Sequence, residues 1–97
     1  MLTYIILMNL TEQGVKTIKE SPKRVDAMGK VMEKAGAKLV AMYSTLGKYD
    51  YVAIAEVPSE EVGMSLLLTL GMLGNVRTKT LRAFTKQEFA KIVKKLG

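Results

Sequence analysis

Asp50 has the neighbours that most suggest chemistry. It lies in STLGKYDYVAI (Ser44 to Ile54), three residues after Gly47 and between Tyr49 and Tyr51. A carboxylate in such a stretch can accept backbone N–H bonds across a tight turn, with Gly47 supplying the positive φ. It can also, with nearby backbone N–H groups, hold the ammonium or carboxylate group of a small ligand. The two roles are compatible. Arg82 is the second candidate, on one strand face with Thr78, Thr80 and Phe84. If that face is buried against another copy, its charge needs a carboxylate from that copy or an anionic ligand. Asn9 either caps the helix that follows it or lines the mouth of a pocket. Tyr4, Tyr43 and Tyr51 are amphipathic strand residues whose first role is packing, with the hydroxyl finding a partner.

Whole classes of chemistry are excluded by composition. The 97 residues include no cysteine and no histidine, so disulfides, thiolates and imidazole acid/base or metal roles are absent. The nine carboxylates are scattered, so neither a metal nor a cofactor is expected. Nothing has the strand–loop–helix context of a glycine-rich phosphate loop. The net charge of +6 is uneven: residues 1–75 carry eight basic and eight acidic side chains, and residues 76–97 carry seven basic side chains and Glu88. That excess is either a surface for an anionic partner or a solvated helix with a favourable end; the second is the expected reading, since Lys91, Lys94 and Lys95 at a helix C-terminus complement its dipole. The N-terminal residues lack a targeting pattern, and the apolar run Met64 to Leu73 is too short to span a bilayer. A cytoplasmic protein without a membrane partner is the expectation.

The elements that must position these residues can be read from periodicity. Thr3 to Asn9 is apolar on both alternating faces and reads as a central strand. Thr11 caps a short helix carrying Val15 and Ile18. Ser21 and Pro22 restart the helix as N-cap and first helical residue, and Val25, Met28, Met32 and Ala35 continue it to Gly36. Lys38 to Thr45 alternates as a strand, with Leu39, Ala41 and Tyr43 on one face. Tyr51 to Val57 is the next strand. Ser59 opens a helix that is apolar nearly all round and closes at Gly74-Asn75. Val76 to Phe84 is the last strand. Thr85 and Glu88 form a capping box for a terminal helix with Phe89, Ile92, Val93 and Leu96 on one face.

This order makes a single α+β domain over residues 1–97: a ferredoxin-like βαββαβ sandwich with an extra C-terminal helix. A sheet with helices on one face leaves the other open, and a solvated face should be polar at alternate positions. Here it is apolar, so a homodimer or higher oligomer is expected.

With the elements placed, the chain resembles the GYD domain family. The likeness rests on MNLTEQGVKTIKESPKR (Met8 to Arg24), GKYDYV (Gly47 to Val52), LGNVRTKTLRAFT (Leu73 to Thr85) and EFAKIV (Glu88 to Val93). The family's Gly, Tyr and Asp stand here as Gly47, Tyr49 and Asp50. The resemblance implies a dimeric α/β barrel and little about activity. A looser likeness over Val40 to Thr80 is to the amino-acid-sensing domain of feast/famine regulators, which implies a small effector near the turn, between dimers. With nothing before Thr3 to hold a helix-turn-helix, DNA binding by that route is not expected.

The functional expectation is therefore binding of an amino acid or organic acid at a subunit interface, with Gly47, Tyr49, Asp50, Arg82, Asn9 and Tyr51 as ligand-binding candidates. The alternative is an enzyme of the cofactor-independent monooxygenase or isomerase type, by fold analogy, with Asp50, tyrosine or lysine moving protons. A lesser alternative is RNA binding. GKYDYVAI partly resembles the aromatic strand of RNA-recognition motifs, but Asp50 stands where glycine or alanine belongs.

Overall fold

Strand β1 (Leu2–Leu10) and strand β3 (Tyr51–Val57) form the centre of a four-stranded sheet. The edges are β2 (Lys38–Ser44) beside β3 and β4 (Val76–Ala83) beside β1. Every pairing is antiparallel. The coordinates, a computed structural model, describe residues 1–97. Register decides which face each side chain takes. Tyr4, Ile6 and Met8 stand opposite Ala55, Ala53 and Tyr51. All six are buried with Val57 and Val76 in one cluster. This is the face the helices cover.

Helix α1 (Glu12–Lys16) begins where the Thr11 hydroxyl accepts from the Gly14 N–H at 3.1 Å. A 3-10 turn at Ile18–Glu20 then runs directly into α2 (Ser21–Lys34). Ser21 is accordingly the first residue of α2, in right-handed helical geometry, and Glu20 occupies the cap position. The preceding turn leaves Ser21 no capping role. Its Oγ lies 2.8 Å from the Tyr51 hydroxyl instead. The third helix, α3 (Glu60–Leu73), is capped by Ser59 and lies close to the sheet. A Cβ on Gly63 would stand 2.5 Å from the Tyr4 ring, so only glycine allows this contact.

Two further sequence expectations are corrected. Leu39 pairs with Ala55 and Ala41 with Ile54, so Val40 is an extra residue in β2. This bulge switches the alternation, and Leu39 and Met42 face the helices while Ala41 and Tyr43 face away. The phase change is silent in the sequence because both faces of β2 are apolar. Arg82 stands opposite Tyr4, and Thr80 and Thr78 opposite Ile6 and Met8. Their face is therefore the helix side, not the open one.

The open face is apolar along its middle. Ile5, Leu7, Val52 and Ile54 form a half-buried centre, with Tyr43 and Leu81 more exposed at its margins. The terminal helix α4 (Lys86–Lys94) has the expected capping box at Thr85 and Glu88 but buries none of its residues.

Candidate functional site

The turn between β2 and β3 is assembled from its backbone outward. Gly47 has φ of 108°, the region glycine alone adopts readily, and open space surrounds it. The Thr45 N–H donates to Asp50 O at 2.9 Å, and the Thr45 hydroxyl to Tyr49 O at 2.6 Å. These bonds close the loop. Two more tie it to β1: the Asp50 N–H donates to Met8 O at 2.9 Å, and the Leu10 N–H to Asp50 Oδ2 at 2.8 Å. The carboxylate thus continues the β1–β3 ladder where β3 has no backbone acceptor to offer. Asn9 neither caps α1 nor stands free. Its Nδ2 donates to Lys48 O at 2.7 Å and fastens the loop tip. Lys48 Nζ lies 5.7 Å from the centre of the Tyr49 ring.

Four of the six candidates, Gly47, Tyr49, Asp50 and Asn9, therefore meet at one end of the sheet. Arg82 does not join them, whereas Tyr51 stands beside Asp50 in the lining of the depression next to the turn. Tyr51 is buried on the helix side with its hydroxyl against Ser21. Arg82 pairs with Tyr4, four residues along β1 from Met8, or roughly 13 Å away. Its guanidinium stacks on Phe84 at 4.6 Å and donates to the carbonyls of Ala83 and Thr3. Its polar contacts are to backbone carbonyls of its own chain.

Beside Asp50 the surface dips into an open depression between the start of α2 and the end of β2. Asp50, Asp26, Ser44 and Thr45 bring polar groups to it, and Ile18 and Val25 form an apolar wall. Asp26 and Ser44 were missed as site residues from sequence. Asp26 has no local motif, and only the packing of α2 over β2 brings it near Asp50.

A second, more enclosed cavity of about 480 Å3 lies between α2 and α3 above the sheet. Its lining is almost wholly apolar. Met28 and Val31 form one wall, Leu67 and Leu70 the other, with Ile6 and Ala53 beneath.

Residues 4–93 match the GYD domain. The chain belongs to the GYD domain family. One relative is the glutamine synthetase and cystathionine β-lyase binding protein of Thermus thermophilus, 34% identical over 82 residues, covering 84% of this chain and 86% of that protein. Among solved structures, TTHA0845 of the same organism is 28% identical with a TM-score of 0.51, covering 88% of this chain and 95% of that one. The feast or famine regulatory protein of M. tuberculosis, complexed with L-methionine, has a TM-score of 0.67 at 19% identity, covering 89% of this GYD chain. This chain spans about half that regulator, 52% of its length, and the likeness at that identity is one of fold. The ferredoxin-like architecture expected from the sequence is the one observed.

Proposed function

We propose that this GYD protein binds a small ligand bearing an ammonium group, an amino acid or amino-substituted organic acid, in the depression beside Asp50, at a boundary between subunits. The observation that carries this reading is the Asp50 carboxylate. One oxygen is engaged by the Leu10 N–H, and the group borders an open depression that also holds Asp26 and an apolar wall. A carboxylate takes the cationic end of an amino acid, and the wall takes an apolar side chain. The M. tuberculosis regulator of similar fold is complexed with such a molecule. Subunits would meet through the open sheet face, whose apolar centre calls for a cover.

The test is a thermal-shift screen of amino acids and small organic acids against the wild type and Asp50→Asn. Asparagine keeps an oxygen for the Leu10 N–H, so the fold should stand. Ligand affinity should fall by about 1.5 to 3 kcal/mol, the scale of a hydrogen bond to a charged group. Equal binding to both proteins would leave Asp50 as a turn residue only.

A second reading is that the protein docks on a metabolic enzyme. The Thermus relative is named for binding glutamine synthetase and cystathionine β-lyase. On this chain, Met64, Leu68 and Met72 form an exposed stripe on the outer side of α3, the kind of surface that adapts to a partner. Mixing the protein with either enzyme should give a faster-sedimenting complex that Leu68→Lys abolishes. The enzyme reading for this chain is not adopted, because it rests on fold analogy alone. RNA binding is not adopted either, because Tyr51 is buried and cannot stack on a base.

A further inference from the structure

The strongest unexplained features are a cleft without an occupant and a helix without a partner. The helix is α4. Its apolar residues are exposed: Phe89 at 60%, Ile92 and Val93 at 45%, and Leu96 at 69%. At roughly 100° per residue Phe89, Ile92 and Val93 share one side of α4, with Leu96 two residues beyond its end, while Lys91 and Lys94 lie on the other. A short amphipathic helix of this kind is held in place by packing of its apolar face rather than by propensity. The cleft is the apolar cavity between α2 and α3, and it is uncharged apart from Arg24 at its rim.

We propose that α4 of a second copy of the chain docks in this cleft. Length fits: the α3 wall runs from Gly63 to Leu73, roughly 15 Å, and Phe89 to Leu96 spans roughly 10 Å. Charge fits as well. A helix seated by Phe89, Ile92 and Val93 leaves Lys91, Lys94 and Lys95 in solvent, and the one lysine on the apolar side, Lys86, lies at the helix start, three residues before the docked stretch. In the single chain α4 does not fill its own cleft: Phe89, Ile92, Val93 and Leu96 all stay exposed, although only Phe84 and Thr85 separate β4 from α4. Each subunit carries one free helix face and one unfilled cleft, so exchange between copies covers both. It also completes a thin core, since only 13 of the 97 residues are buried in the single chain.

The protein has no cysteine, so introduced thiols report on this contact alone. A chain carrying Ile92→Cys, mixed with a chain carrying Leu70→Cys and oxidised, should give a disulfide-linked dimer containing one of each, identified by mass. Ile92→Cys mixed with Leu7→Cys, on the open sheet face, should not. Absence of the first dimer, or preference for the second, overturns the proposal. So does complete closure within one chain when both Ile92→Cys and Leu70→Cys are on it and the protein is dilute. An independent measurement uses Phe89→Lys with Ile92→Lys, which disturbs no packed residue of the single chain. The melting temperature should fall by at least about 5 °C. An unchanged melting temperature would show that α4 is free and would also overturn the proposal.

Discussion

Asp50 illustrates how one residue serves backbone and surface together. Its N–H bonds to Met8 and its side chain to Leu10, so two successive rungs of the central ladder depend on it. Gly47 is the complementary case: its side is open, and only its φ of 108° restricts it. Gly47→Val should therefore cost about 1 kcal/mol or more through the backbone alone, read from a melting curve. An unchanged melting curve would place the strain elsewhere in the turn. Asp50's carboxylate takes the Leu10 N–H of β1 rather than an N–H of its own turn, a partner that local spacing does not show, whereas the role of Gly47 was legible in the sequence. Arg82 was not. Alternation along a strand shows which residues share a face, but register against the neighbouring strand decides whether that face meets helices or solvent. For β4 that register comes from pairing with β1, which no local pattern encodes.

Among the elements, α4 has a titratable start. The Thr85 N–H donates to Glu88 Oε1 at 2.8 Å, and this bond, reinforced by the Thr85 hydroxyl and the nearby Arg82 charge, holds the Glu88 carboxyl below the usual glutamate range. A carboxyl lowered in the folded state contributes stability above its unfolded pKa and loses it as pH falls through the folded value. The first turn of α4 should therefore fray on acidification below the ordinary glutamate range. Backbone amide shifts of residues 85–88 should record that change, and Glu88→Gln should remove its pH dependence while keeping the cap. The capping box was readable in the sequence because it lies within four residues. The start of α2 was misplaced by one residue. Ser21-Pro22 carries a strong start signal, but the 3-10 turn before it had already begun the winding.

At the scale of the molecule, the open face of the sheet is the surface through which we propose that copies assemble. Its centre, Ile5, Leu7, Val52 and Ile54, is too apolar for a solvated surface. Sedimentation at micromolar concentration should show at least a dimer, and Ile54→Lys should give a folded protein that sediments as a smaller assembly than the wild type. A wild-type monomer would refute the proposed role of this face. Alternation in β1 and β3 made the second apolar face visible without coordinates. The cleft between α2 and α3 was not foreseeable, since the spacing of two helices above a sheet depends on every side chain between them.

The extra residue in β2 has a consequence for how copies cannot meet. A flat sheet edge invites another strand to add, and repeated addition produces fibrils. Here one edge is kinked at Val40, and the other places Arg77 and Lys79 along β4. Lateral growth is obstructed on both sides, so the proposed association would run through faces and helices, and the fibril route that a flat apolar edge opens would be closed to it.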